Sequence, residues 1–434
     1  MKLKKLFKKK ELSSKIYYTL FIILIYRFGS FFPIPFIKPI YINEIGLKKK
    51  IFTSFTSFGF KKNILTSLTG GACNRASIFS LGIMPNISAS IFIQFIGYFF
   101  PFFKNFKGPL GKRKLNLITK GITLILSLIQ ANAYIFYLIN LFLKKKTYYL
   151  NFILGKDFFL FTSIICLTTG TFLTMWLKEK INEKGLGNGN SFLIISGILS
   201  RFINSFISEI LNRINEKVFL GILILLFEII VLILIIGIAI IIIKSVRKIY
   251  IHYINNFGFH YSSNLEEIKF LPLKVVHTGV MPIMCSQGML FFLITFMSKI
   301  HSNYLDIRIE KFKNIYGLWY NILYSIIIIL ITFFYTYFSI SVNTISDDLK
   351  LNGGYIPNVK PGKETSLFLK KIVSQISLIG SLLLTIMALF PSIFVCLGGD
   401  KNFSLFFGGS SLIILVGSLL EIKTTINSYL LNYN

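Results

Sequence analysis

Between Asn74 and Gln94 the sequence NRASIFSLGIMPNISASIFIQ is apolar enough to enter a bilayer, yet it carries Asn74, Arg75, Ser77, Ser80, Pro85, Asn86, Ser88, Ser90 and Gln94. Polar groups in hydrocarbon are costly unless they are partnered or wetted. A helix facing only lipid has little use for them. The chemistry such residues could do is solvation rather than bond making: lining a protein interior or an aqueous path along which something polar passes.

Groups that make or break covalent bonds are scattered. Cys73, Cys166, Cys285 and Cys396 form no CxxC pair, and His252, His260, His277 and His301 are equally dispersed. Neither a disulfide framework, a metal site nor a cofactor site is legible. There is no GxxxxGK[ST], no HExxH and no GxSxG in a strand-turn-helix setting, so no enzyme activity is expected and energy must come from a partner. Asp347-Asp348 reads as a solvated loop pair. Glu228, an acidic residue inside an apolar run, reads as facing another subunit, with a proton relay as the alternative.

The elements that must position these residues are membrane spans. Hydrophobic residues make up 54% of the 434 positions and charged residues 15%, with a mean hydropathy of +0.69. This is the composition of an integral membrane protein. The net charge of +30 is spread through nearly every inter-helix loop, which argues against a dedicated nucleic-acid domain. Ten apolar runs are long enough to cross hydrocarbon, at about 16–32, 76–99, 116–142, 156–177, 190–208, 218–243, 274–298, 316–340, 370–390 and 404–422. The basic start MKLKKLFKKK is followed by no small-residue cleavage site before Arg27, so the first run is read as retained. With the N-terminus in the cytoplasm, 27 Lys and Arg fall on that side and 19 on the other, which orients the chain with both termini cytoplasmic.

Three connections exceed what packed helices need. Segments 244–273 and 341–369, both on the cytoplasmic side, are expected to dock a soluble partner. On the opposite side, 33–75 ends in Gly70-Gly71; it is either a segment able to fold back into a cavity or an ordinary surface loop.

Six stretches resemble one known family in order and spacing. They are RASIFSLGIMPNISASIFIQ at 75–94, GKRK at 111–114, TGTFLTMWLKEKINEKGLGNGNS at 169–191, LPLKV at 271–275, PNVKPGKET at 357–365 and FGGSSLIIL at 407–415. Together they resemble the SecY/Sec61-alpha family of protein-conducting channels over more than three hundred residues. The resemblance implies an all-α membrane protein of ten helices. Two pseudo-symmetric inverted halves, 1–208 and 209–434, would surround an hourglass pore with a plug at about 60–75 hinged at Gly70 and Gly71.

Carried over position by position, the resemblance implies a pore ring of Ile83, Ile87, Asn190, Ile194, Met284 and Ile414. Asn190 and Met284 depart from the family pattern, which favours isoleucine at the first. The amide of Asn190 is expected to hydrate the constriction unless Asn188 or the plug partners it. Gln94 is implied in a lateral gate, with Val276 and His277 at its usual partner's position. Pro85, between two ring residues, is expected to distort the second helix locally. Arg247, Lys248 and Lys360 are implied in docking a motor or ribosome, with Lys360 replacing an arginine and so losing its bidentate fork.

The function implied is passage of unfolded secretory proteins across the membrane and release of transmembrane segments into lipid. Implied partners are SecE-like and SecG-like subunits, the SecA motor ATPase or the ribosome, preproteins with their signal sequences, and lipids. The expected location is a bacterial plasma membrane, with a plastid thylakoid as the alternative. An ion-coupled secondary transporter is the competing reading; it would share inverted halves but calls for paired acids at mid-membrane.

Overall fold

The computed structural model describes residues 10–35, 71–99, 108–144, 156–216, 218–253, 267–276, 282–283, 285–286, 289–290, 316–396 and 409–431. The chain is mostly helical. In order the elements are α1 (Lys10–Gly29), α2 (Met84–Phe99), α3 (Gly108–Lys144), α4 (Lys156–Lys184), α5 (Gly189–Glu216), α6 (Val218–Lys244), β1 (Val246–Tyr253), β2 (Glu267–Lys274), α7 (Leu318–Ser339), α8 (Val342–Leu351), β3 (Gly354–Tyr355), α9 (Lys363–Cys396) and α10 (Gly409–Leu431). Among the described residues six helices are long and apolar enough to cross a membrane. The run at 274–298 is described only in part, and Val276, Ile283 and Leu290 within it are buried.

The second apolar run is not one helix. Residues 72–75 form a 3₁₀ turn, and Ala76 and Gly82 adopt left-handed backbone angles that a right-handed helix cannot contain. Backbone pairing replaces helical bonding here: the Ile34 amide donates to Ala76 and the Ile78 amide to Phe32, at 2.8 and 2.9 Å. Helix α2 begins only at Met84 and its 16 residues span about 24 Å. Pro85 therefore sits in the first turn, where no amide donor is needed, and starts the helix rather than distorting it.

The expectation of an all-α chain is corrected by a three-stranded sheet of order β2-β1-β3. β1 and β2 pair antiparallel from Val246↔Lys274 to Tyr253↔Glu267, and β3 joins through His252↔Tyr355. Alternation explains it. Ile249 and Ile251 point inward while Lys248 and Tyr250 point outward, the period of a half-buried strand. Ile249 and Leu273 pack with Val342, Ile356, Leu369 and Ile372, which fixes the sheet against α8 and the first turns of α9.

Among the long helices, beside a core between α3 and α4 that includes Ile135 and Leu167, lie two further cores. One joins α1, α2, α4 and α5 through Tyr26, Phe79, Ile83, Ile181 and Leu193. The other joins α6, α7 and α9 through Ile235, Ile328 and Leu384. Helix α10 contributes to both: Leu412, Ile413 and Val416 to the second, Ile414 to the first. Glu228 is 2% exposed. It lies inside the chain and does not face another subunit, because a carboxyl group is better accommodated in protein than in lipid.

Tyr26 is fully buried and stacks on Phe79 at 5.7 Å between ring centroids. Its hydroxyl has no hydrogen-bond partner among the described residues. Tyr26→Phe is predicted to raise stability by about 1 kcal/mol, because a buried unsatisfied group is removed without changing the packing. Thermal unfolding in detergent checks this; a lower midpoint would show that the hydroxyl is used.

Candidate pore and gate

Several polar residues of the opening segment bond protein groups, while the buried Ser80 hydroxyl has no hydrogen-bond partner among the described residues. Ser77, Ser88 and Ser90 donate to backbone carbonyls of their own segment, at Ala72, Met84 and Ile87. Asn86 and Gln94 reach other helices. The Asn86 Oδ1 accepts from Lys178 Nζ on α4 at 2.7 Å, and Gln94 Oε1 accepts from the Tyr335 hydroxyl on α7. Asn86 and Gln94 thus brace the segment against α4 and α7.

Four of the ring residues implied by the resemblance meet. Ile83, Ile87, Ile194 and Ile414 are 2, 4, 7 and 3% exposed and belong to one cluster. They come from the start of α2, from α5 and from α10. The Ile87 amide bonds the Ile83 carbonyl at 3.1 Å, so the two share a face although Ile83 precedes the helix. Met284 lies outside the described residues.

Asn190 enters this region by way of a tight turn. Gly187 and Asn188 have φ of 83 and 51, the left-handed conformation that Gly and Asn tolerate best. A Cβ at Gly189 would lie 2.5 Å from the Lys178 carbonyl, so only glycine lets α5 start against α4. The Gly189 amide donates to Asn182 Oδ1 at 2.7 Å. Asn190 follows at once, half-buried, and its Oδ1 has no hydrogen-bond partner among the described residues. Asn188 does not supply one: its amide donates to Thr425 Oγ1 on α10 at 3.3 Å.

The implied plug up to residue 70, including Gly70, lies outside the described residues. Gly71 has φ 86 and leads into the 72–75 turn. That turn is fastened: the Tyr134 hydroxyl donates to the Cys73 carbonyl at 2.7 Å, and the Arg75 guanidinium sits 4.2 Å over the Phe31 ring. At the implied gate, Gln94 meets Tyr335, not Val276. Val276 is 3% exposed among α6, α7 and α9 side chains, and His277 lies outside the described residues. Sequence reasoning missed Tyr335, although a phenol in an apolar run signals a need for a hydrogen-bond partner.

Arg247 and Lys248 are exposed neighbours on β1 and point to opposite faces of the sheet. Lys248 Nζ lies 5.0 Å over the Phe270 ring. Lys360 is exposed on the loop before α9. Ser346 holds that loop by donating to the Gly362 carbonyl at 2.8 Å and by sharing a 2.6 Å bond with Thr365. The pairing of β1 with β3 makes one platform of two segments that the sequence presents as separate loops.

The family model for SecY matches residues 77–423. The chain belongs to the SecY family. It is similar to protein translocase subunit SecY of Aquifex aeolicus, 30% identical over 99% of this chain and 97% of the relative. It is also similar to that of Rickettsia typhi, 33% identical over 97% and 94%. Among solved structures, a protein-conducting channel aligns with a TM-score of 0.65 at 15% identity over 96% of this chain and 92% of that one. Sec61 in a canine ribosome-channel complex from the endoplasmic reticulum aligns with a TM-score of 0.58 at 13% identity, again over 96% and 92%. As a SecY-family chain this is a membrane protein that serves as the protein-conducting channel of the Sec translocon, and the ion-coupled transporter reading falls.

Asn190→Ile is predicted to lower resting ion conductance about tenfold, the ratio that corresponds to one unsatisfied buried polar group. Conductance of the reconstituted channel measures it. Equal or greater leakage would remove Asn190 from the constriction.

Proposed function

We propose that Ile83, Ile87, Ile194 and Ile414, with Asn190 and Met284, form the collar through which an unfolded polypeptide passes. The observation that carries this reading is that four buried isoleucines from three helices distant in sequence converge in one cluster. A bulky apolar collar excludes ions by dewetting and deforms around a chain. The whole is a ten-helix channel in two inverted halves, 1–208 and 209–434, with a plug at about 60–75 that swings about Gly70 and Gly71. Fastening of Cys73 to Tyr134 and of Arg75 to Phe31 supports a hinge ahead of them in the sequence.

Lateral release of transmembrane segments occurs between α2 and α7, where Gln94 and Tyr335 hydrogen-bond. The platform bearing Arg247, Lys248 and Lys360 receives the SecA motor or the ribosome, which supplies the energy. SecE-like and SecG-like subunits pack on the lipid-facing helices; α6, the most apolar of the described spanning helices, offers such a surface. The bacterial relatives support a bacterial plasma membrane location, and the distribution of Lys and Arg supports cytoplasmic termini.

Photocrosslinkers at Ile83, Ile87, Ile194 and Ile414, tested against a precursor arrested in transit, decide the pore assignment. Adducts are expected from these positions and not from exposed Phe227 and Ile230 of α6. The reverse pattern would exclude the collar.

A further inference from the structure

Helix α4 carries three successive charged residues, Lys178, Glu179 and Lys180, and they face in different directions. Glu179 Oε1 pairs with Lys120 Nζ on α3 at 2.7 Å, and Lys180 Nζ pairs with Glu183 Oε2 on its own helix at 3.0 Å. Lys178 turns the other way. Its Nζ donates to Asn86 Oδ1 on α2 at 2.7 Å, and Asn86 is 9% exposed. Lys178 lies less than two turns before the end of α4 at Lys184, a distance of about 9 Å. A lysine so placed commonly snorkels to water; this one is half-buried and directed at a neutral amide.

The same residue meets the start of α5 through its backbone. A Cβ at Gly189 would lie 2.5 Å from the Lys178 carbonyl, and the Gly189 amide is held by Asn182 Oδ1, one turn further along α4. Lys178 therefore stands between two arcs of the collar: Asn86 precedes Ile87, and Gly189 precedes Asn190. Its neighbours Leu177 and Ile181 pack in the cluster that holds Ile83, Ile87 and Ile194. Earlier turns of α4 continue the contact. The Thr174 hydroxyl is shared between the Gly82 and Thr171 carbonyls at 3.1 and 2.8 Å, and a Cβ at Gly170 would lie 2.2 Å from the Ile78 carbonyl. Gly170, Thr174 and Lys178, four apart on one face of α4, thus meet Ile78, Gly82 and Asn86, also four apart. Of these three contacts the one at Lys178 involves a charge, and such hydrogen bonds are roughly twice as strong as neutral ones.

We infer that Lys178 is a positioning residue of the collar. By holding Asn86 with its ammonium and Gly189 with its backbone, it fixes the height of Ile87 on α2 against Asn190 and Ile194 on α5. Without the ammonium a buried amide oxygen loses its donor, α2 slides more freely along α4, and the isoleucines part more often. This inference rests on the collar reading given above. The Lys120–Glu179 pair faces α3, away from the collar, and serves as the control.

The test measures resting ion leakage of the full chain, reconstituted in vesicles with its copurifying subunits, together with its thermal midpoint in detergent. Lys178→Met keeps the side-chain stem and removes the donor; Asn86→Leu removes the acceptor. Loss of one hydrogen bond to a charged group is expected to raise the population of displaced collars, and leakage with it, about tenfold. Asn86→Asp, which keeps an acceptor in place, should hold the seal. Lys178→Met combined with Asn86→Leu, which makes both partners apolar, should return leakage toward that of the unaltered chain. Lys120→Met should not leak. Unchanged leakage in Lys178→Met, equal leakage in Asn86→Leu and Asn86→Asp, or a double variant that leaks as much as either single one refutes the positioning role. Leakage that follows the thermal midpoint across the whole set, Lys120→Met included, would mean general loosening of α4 and overturns it as well. Ile87→Ala opens the collar directly: if it leaks and Lys178→Met does not, the positioning role fails and the collar reading stands. If Ile87→Ala seals as well as the unaltered chain, the collar reading fails and the inference falls with it.

Discussion

Hydrocarbon offers no partner to a peptide N–H or C=O, and every other feature of this chain answers to that constraint. Helices satisfy it internally, which is why most of the described chain is helical. The exception is residues 71–83, a non-helical stretch leading into a helix of only 16 residues. It is tolerated because it is enclosed: its backbone pairs with residues 32–34, Tyr134 bonds Cys73 and its side chains pack under α3 and α4. Irregular backbone at such a place is tolerated only inside protein.

The second consequence is a division of packing. One core gathers α1, α2, α4 and α5, and another gathers α6, α7 and α9. Helix α10 belongs to both, and through Ile414 it adds a side chain from the far end of the sequence to the isoleucine cluster of α2 and α5. A seal made of apolar side chains needs no ligand and no hydrolysis. Its strength comes from excluding water, and it yields to any chain pushed through it. In the proposed collar the partly buried Asn190, with an acceptor that no described residue engages, is the weak point.

Much of this was legible in the sequence. The apolar runs at 116–142, 156–177 and 370–390 lie within α3, α4 and α9, and the glycines and asparagines of GLGNGN announced the turn that opens α5. The start of α2 was not legible. The left-handed angle at Ala76 is fixed by pairing of its neighbourhood with residues 32–34, a contact that local pattern does not reveal. The strand Val246–Tyr253 alternates over few residues and was hidden by the general richness in Ile and Tyr. Its partner Gly354–Tyr355 lies a hundred residues away. Tyr335 escaped for a related reason: its hydrogen-bond partner, Gln94, lies on a helix distant in sequence.

The central claim is that a polypeptide crosses the membrane through the isoleucine cluster. A cryo-electron microscopy reconstruction of the chain holding an arrested precursor tests it most directly. The account predicts precursor density threading between Ile83, Ile87, Ile194 and Ile414, with these side chains parted around it. A precursor lying against the outer surface, with the four isoleucines still in mutual contact, would contradict it.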